Sequence, residues 1–455
     1  MISKLRLKNV GPIKQADIDF NNLTIISGRN GVGKTYLSYT YFMLVEWFSN
    51  EVREIVKVPK KLEDAVWEMA STSFVGQKSV EVDLEELNIS MASLSSALSA
   101  ASQKKAIFKQ LDLSDEASEN AIIQGIIEDS YFNKIIKKKA QGRLRSDIDY
   151  RISKEKGSTI IKADFIKESA EELDESAILN LSFILKIFIT EELLGLNQFP
   201  ITSERTGISL FHAELSEKSG YQYRLEGAET PVRYSRPIEI NIANYRFIKN
   251  RRSSYNHWLF NGKPGFQKQV SSIVGGQYEI DDKEIYFSPK GQNIRVPLKS
   301  SSGASKSLIL LDYFLHMYKA YGSLIIDEPE LNLHLDSQKE IAQVLCSIAN
   351  QGINVIVTTH SDHFIREVNN LIMLSSPKLK EHQRQEILKK SGISKDAIIS
   401  PKKVSTVVIS SKERKTYSMP ISEYGIDLQL FNEEIMRSND ITQELMTAIY
   451  EAEDD

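Results

Sequence analysis

The sequence predicts an α/β fold with a mixed core sheet, a small antiparallel sheet at the N-terminal side and a large helical insertion. Three observations predict it. Short apolar stretches at 23–27, 323–327 and 355–359 each end in a polar turn, as buried core strands do, and helical patterns follow the first two at 36–48 and 337–349. Residues 4–8 and 16–20 alternate apolar and polar side chains on either side of Gly11-Pro12, the pattern of half-buried antiparallel strands. Beyond residue 52, Gly and Pro become rare and apolar residues recur at helical spacing as far as 196. The chain divides accordingly into 1–51, 52–198, 199–376 and 377–455.

The first apolar strand runs into Gly28, Arg29, Asn30, Gly31, Val32, Gly33, Lys34 and Thr35, a full match to G-x-x-x-x-G-K-[ST], and a helix rich in apolar and aromatic residues follows at 36–48. Strand, glycine-rich turn and helix form the context this pattern needs. The glycines let the backbone wrap close around phosphate, with amide N–H groups and the helix N-terminus facing the anion. Lys34 is expected to reach the β- and γ-phosphates, and the Thr35 hydroxyl to hold Mg²⁺. The ligand expected here is a nucleoside triphosphate, ATP, with Mg²⁺.

Composition bounds the rest. At 455 residues the chain is long enough for two or three domains, and its formal charge of -4 means that nucleic-acid contact requires a local basic patch. The single cysteine, Cys346, excludes an internal disulfide and a multi-cysteine zinc site and reads as a small core residue. Lys4, Arg6, Lys8 and Lys14 leave no room for a secretory signal in the first 20 residues. The most apolar window, 177–194, carries Asn180, Lys186, Glu191 and Glu192, too polar for a membrane span. A soluble, cytoplasmic protein without membrane contact is expected.

The insertion reads as helices, such as Ala121, Ile122 and Ile123 with Ile126 and Ile127, without the sustained heptads of a long coiled coil. The Ser/Ala-rich 90–102 reads as a flexible connection or a surface helix. A basic run from Lys134 to Arg145 fits a solvated helix face, a phosphate-backbone contact or a docking surface for an acidic partner. A second cluster, Arg246, Lys249, Arg251 and Arg252, is interleaved with Tyr245, Phe247 and Tyr255, which suits nucleic acid and equally a solvated loop. Arg205, after the strand beginning at Ile201, fits a structural ion pair or a phosphate contact.

The second half carries further chemistry. Ser300, Ser301, Ser302, Gly303, Ala304 and Ser305 precede an apolar helix at 308–319, a capped N-terminus with amides open to an anion. The strand at 323–327 ends in Asp327 and Glu328 before Pro329. Asp327 is placed to hold Mg²⁺ through water, and Glu328 to orient and deprotonate the water attacking the γ-phosphate. A helix at 337–349 leads to a further strand ending at His360, which is placed to reach the γ-phosphate. Residues 371–374 read as another strand. From 377 to 455 we expect a peripheral tail: a charged helix, a strand pair at 404–409 and 416–419, and a closing helix. It has no carboxylate cluster of the kind a metal nuclease needs.

This order of motifs resembles the ABC-type P-loop ATPase heads, among them the SMC and RecF heads and, more closely, the bacterial "overcoming lysogenization defect" (OLD)-like ATPases. In that resemblance Gly28 to Thr35 is the Walker A motif, and Ser302, Gly303, Ala304 and Ser305 stand for the signature. Asp327 and Glu328 are Walker B, Asn332 to Asp336 the D-loop, and His360 the switch histidine. Ala304 departs from the signature's second glycine, and Leu335 stands where OLD-like proteins often have proline. Both departures point to slow turnover. The resemblance implies that one subunit's Walker A faces another's signature, so the protein is at least a homodimer. OLD-like proteins often carry a Toprim nuclease, and its absence from 377–455 implies a nuclease on a separate polypeptide. Stand-alone heads of this type resemble the ATPase subunits of anti-phage systems such as Septu and PARIS, which implies a scaffold or sensor for a separate effector. The alternative is a RecF-like repair clamp that binds duplex DNA in an ATP-dependent way.

Overall fold

The computed structural model describes residues 2–111, 113–173, 176–218, 234–249, 264–281, 284–317 and 321–427. The chain opens with β1 (Lys4–Val10), β2 (Ile13–Asp19) and β3 (Leu23–Ser27), then α1 (Lys34–Ile55) and α2 (Lys60–Ala70). Next come β4 (Gly76–Asp83), α3 (Met91–Ser102), the short α4 (Ala106–Gln110) and α5 (Asp115–Glu119), β5 (Ile122–Ile126) and α6 (Asp129–Lys137). β6 (Ala140–Arg145), β7 (Ile148–Lys154), β8 (Ile160–Lys167) and α7 (Ser176–Ile187) complete the inserted region, and β9 (Gln198–Ile201) returns to the core. The second half runs through α8 (Arg205–Lys218), α9 (Arg236–Lys249), α10 (Pro264–Val274), β10 (Gly276–Asp281), β11 (Glu284–Pro289) and β12 (Val296–Pro297). It continues with α11 (Gly303–Met317), β13 (Ser323–Asp327), α12 (Leu335–Asn350), β14 (Asn354–Thr359), α13 (Asp362–Met373), α14 (Glu381–Ser391), β15 (Val404–Ile409) and β16 (Thr416–Ser418).

The core is a six-stranded sheet in the order β16-β15-β3-β14-β13-β9, parallel except for the β15–β16 hairpin. Its strands are apolar on both faces because both faces are covered. Alternation along each strand sorts side chains into two cores. Ile26, Ile325, Ile356 and Val407 join the core that holds α1 and the inserted region. Ile25, Leu324, Ile326, Val355 and Val357 join the one built on α11, α12 and α13. The carboxyl ends of β3, β13 and β14 therefore open side by side at one edge of the sheet, where an open parallel sheet binds its ligand.

The expected helical insertion is corrected: the mixed α/β class stands, but 52–198 holds strands as well as helices. β4, β8, β7 and β6 form an antiparallel sheet, and β5 pairs with β1 in the N-terminal sheet. The apolar pairs at 122–123 and 126–127 do not mark a helix; Ile122–Ile126 is the strand β5. Residues 90–102 are not a loose connection but α3, closed by a Ser90–Ser93 capping box and burying Leu94, Ala97, Leu98 and Ala101. Residues 371–374 end the helix α13 rather than forming a strand. The region after 377 is not peripheral throughout, since β15 lies beside β3 in the core sheet. The expected closing helix lies outside the described residues, as do Arg251, Arg252 and Tyr255. No described helix is long and apolar enough to cross a membrane.

Candidate functional site

The glycine-rich turn joins β3 to α1 at the open edge of the sheet. Arg29, Asn30 and Gly31 form its exposed crest, while Val32 and Gly33 are buried. Gly33 caps α1 at φ 106°, and a Cβ there would stand 2.8 Å from Pro12 Cγ, so both backbone and space require glycine. A Cβ on Gly28 would lie 3.0 Å from the carbonyl oxygen of Ile409 in β15. The turn is thus packed from below by β15 and from the side by the Gly11-Pro12 corner.

Lys34 is only 6% exposed, and its Nζ donates to the carbonyls of Gly28 and Arg29, both at 3.0 Å. The ammonium is folded back into the turn, across the concavity that a phosphate chain would fill. Burial lowers its proton affinity, and the charges of Glu328, Glu330 and Asp327 partly restore it. Thr35 sits half-buried in the first turn of α1, and its carbonyl accepts from Ser38 Oγ at 3.1 Å.

Asp327 ends β13, opposite α1. Its Oδ1 accepts from Ser38 Oγ at 3.0 Å and Thr358 Oγ1 at 2.8 Å, whereas its Oδ2 is buried without a partner. Burial raises the carboxyl from 3.8 to about 6, against the lowering by those two hydroxyls. A buried carboxylate oxygen without a partner, on a side chain whose other oxygen meets Ser38 in α1, fits a cation. The described residues contain no group of three or more His, Cys, Asp or Glu able to hold a metal alone. The donors present therefore fit an ion that brings waters and phosphate oxygens with it, as Mg²⁺ does.

Glu328 follows at φ 47°, a left-handed backbone for a side chain with a Cβ, and its N–H donates to the Thr358 carbonyl at 2.9 Å. His360 Nδ1 stands 3.4 Å from Glu328 Oε1 and 3.5 Å from Glu330 Oε1. The exposed imidazole is thus held on its Nδ1 side by two carboxylates, which leaves Nε2 free to meet a ligand. Glu330 is a site residue that the sequence reading missed. It is buried, and its Oε1 accepts from Thr359 Oγ1 at 2.7 Å and from the His360 N–H at 3.2 Å. A carboxylate two residues past the acidic pair and the double threonine before the histidine were its only signals.

Ser302 and Gly303 are exposed at the start of α11, and Ser302 Oγ accepts from the Ser305 N–H at 3.1 Å, the expected cap. A Cβ on Gly303 would lie 3.3 Å from Asn332 Cβ, so the cap and the loop after β13 abut. Arg205 faces no phosphate position. It is fully buried and reaches the backbone behind Asp327 and Glu328. In the basic run, Arg143 pairs with Asp149 and Lys139 with Glu155, while Lys134, Lys137 and Lys138 remain on the surface. The run is not one helix: α6 ends at Lys137 and β6 starts at Ala140.

Over 233 residues the chain is 23% identical to the xylose import ATP-binding protein XylG of Geobacillus kaustophilus, covering 48% of this chain and 44% of that protein. Over 65 residues it is 37% identical to the macrolide export ATP-binding/permease protein MacB of Bdellovibrio bacteriovorus, covering 14% of this chain and 10% of that one. The chain therefore spans less than half the length of these curated relatives. Among solved structures, an SMC head bound to the C-terminal winged-helix domain of ScpA aligns at 12% identity over 93% of this chain and 98% of its own, with a TM-score of 0.37. The SMC head domain of Thermotoga maritima aligns at 11% identity over 92% and 98%, with a TM-score of 0.31. At those scores the fold assignment rests on the sheet order and the turn geometry instead. Residues 1–365 match the family model described as an AAA ATPase domain, and the chain belongs to that family of ATPases.

Proposed function

We propose that this chain binds ATP with Mg²⁺ between the Gly28–Thr35 turn and the acidic end of β13, hydrolyses it, and closes into a homodimer around it. In this reading Lys34 binds the β- and γ-phosphates, and Thr35 and Asp327 hold the ion. Glu328 orients and deprotonates the attacking water, and His360 meets the γ-phosphate. Mg²⁺ supplies charge neutralisation of the phosphates and a fixed template for them. Ser302 and Gly303 offer their amides to the nucleotide held by a second copy, and the whole acts in the cytoplasm.

The observation that carries the reading is the exposed, Ser-capped N-terminus of α11 packed against the Asn332 loop. It is an anion-binding end on a 15-residue helix, turned to solvent and joined directly to the residues that follow Glu328. The finer reading is that the dimer is a scaffold or sensor subunit of a bacterial anti-phage complex that restrains a separately encoded nuclease. What supports it is the likeness of the segments 326–334 and 358–362 to the OLD-like group and to stand-alone heads such as those of Septu and PARIS.

The test is the solution mass of the protein with and without ATP and Mg²⁺, alone and co-expressed with its genomic neighbour. A stable complex with the neighbour and an ATP-dependent dimer trapped by Glu328→Gln are expected. A mass indifferent to ATP in that variant removes the dimer reading. An ATP-dependent dimer with no partner, whose DNA affinity falls steeply with salt, replaces the scaffold by a RecF-like clamp, with Lys134, Lys137 and Lys138 as its phosphate contacts.

A further inference from the structure

Arg205 is the largest fully buried side chain among the described residues, and its setting is unusual for a cation. Its Nη1 donates to the carbonyls of Thr202 at 3.1 Å and Asp327 at 2.7 Å, and its Nη2 donates to the carbonyl of Glu328 at 2.6 Å. Two of the three acceptors are consecutive peptide oxygens of the acidic turn. The planar fork of a guanidinium spans such a pair, whereas a lysine ammonium offers a single point of contact.

The turn it grips is a strained one. Glu328 sits at φ 47°, a conformation that a residue with a Cβ keeps only when its surroundings impose it. Its N–H is fixed by the Thr358 carbonyl at 2.9 Å, on the β14 side. Its C=O is fixed by Arg205, on the β9 side. The Glu328 peptide is therefore pinned at both ends, and the direction of its carboxylate follows from the two pins. Tyr245, itself buried, donates to the Arg205 carbonyl at 3.4 Å and anchors the start of α8 in turn.

The next residue extends the grip. Thr206 Oγ1 accepts from Asn332 Nδ2 at 3.0 Å, and Asn332, at φ 63°, is the residue that abuts Gly303. The first turn of α8 thus holds the acidic turn with one residue and the loop behind the Ser302–Gly303 cap with the next.

We infer that Arg205 is a positioning residue for hydrolysis: its guanidinium sets the strained Glu328 peptide so that the carboxylate faces the attacking water. The inference rests on the reading of Glu328 as the group that handles that water. It predicts that loss of the fork damages turnover while leaving nucleotide binding, made by the Gly28–Thr35 turn, in place.

The test compares four full-length proteins, wild type, Arg205→Lys, Glu328→Gln and the double variant, for ATP turnover and for ATP affinity with Mg²⁺. Arg205→Lys is expected to lower kcat about tenfold or more with ATP affinity within about twofold of wild type. In the Glu328→Gln background the same change is expected to do nothing further, because the group it positions is gone. Equal turnover in Arg205→Lys and wild type overturns the inference, as does a full, additive loss in the double variant. Wild-type turnover in Glu328→Gln overturns instead the reading of Glu328 on which it stands. Arg205→Gln replaces Arg205→Lys if the latter does not fold. If neither variant folds with near wild-type ATP affinity, Arg205 is a brace for the sheet and not a positioning residue.

Discussion

The buried Asp327 makes the ligand-free protein pay a stability cost that its pH dependence exposes. Burial raises its carboxyl from 3.8 to about 6. A carboxyl raised in this way holds its proton more tightly in the folded than in the unfolded chain. Its favourable contribution is therefore present at low pH and is lost as pH rises through about 6. At about 1.4 kcal/mol per pH unit of displacement, ionised Asp327 costs the ligand-free fold about 3 kcal/mol at pH 8. Asp327→Asn keeps an oxygen for the Ser38 and Thr358 hydroxyls but puts a buried NH₂ where Oδ2 has no partner, at about 1–3 kcal/mol. At pH 8 the ligand-free variant should then be as stable as the wild type or more stable, by up to about 2 kcal/mol. The difference curve is the sharper quantity. Between pH 8 and pH 5 the wild type should gain about 1.4 kcal/mol that the variant does not. Parallel denaturant unfolding of both ligand-free proteins across that range measures it, with a Mg²⁺–ATP series in which only the wild type gains a Mg²⁺-dependent increment. A difference that stays flat from pH 5 to pH 8 refutes the assignment of an unpartnered, cation-seeking carboxylate to this site.

Other expectations follow from the same geometry. Lys34→Ala removes the ammonium that fills the turn and should abolish ATP binding in calorimetry; unchanged affinity would sink the site assignment. Gly33→Ala meets Pro12 Cγ at 2.8 Å on a φ of 106° and should cost about 1–3 kcal/mol in unfolding experiments, with nucleotide affinity lost beside it. Val407→Asp places a charge in the fully covered sheet beside Ile26, and about 3 kcal/mol or more of stability should go with it. If Val407→Asp instead leaves both stability and ATP affinity as in the wild type, β15 has no part in the nucleotide core.

Much of the site was legible in the sequence because its chemistry is local. The Gly28–Thr35 turn, the Asp327-Glu328 pair and His360 are each written in a few adjacent residues, and parallel pairing of β3, β14 and β13 brings them together. What stayed hidden depends on contacts between distant segments. Val404 to Ile409 reads as a strand, but nothing in those six residues says that the partner is β3. The spacing of Ile122, Ile123 and Ile126 satisfies a helix and a strand alike, and the β1 edge decides for the strand. Arg205 was visible as a strand-end cation, yet two of its hydrogen-bond acceptors are carbonyls more than a hundred residues away. Glu330 is one acid among many in the sequence, and only the fold shows it as the buried acceptor beside His360.

The place of β15 also orders events during synthesis. Ser27 Oγ donates to the Val407 carbonyl, 380 residues further on, and Ile409 lines the underside of Gly28. At ~5–20 residues per second a ribosome needs roughly 20–75 s between making the first of these strands and the second. Through that interval one side of β3 is an unpaired edge, and the Gly28 end of the turn lacks the strand that lies beneath it. A nascent chain can therefore pair β4, β8, β7 and β6 of its inserted region before the Gly28–Thr35 turn has its full support. In the proposed reading, the ATP-dependent dimer then has to wait until almost the whole of the described chain has been made.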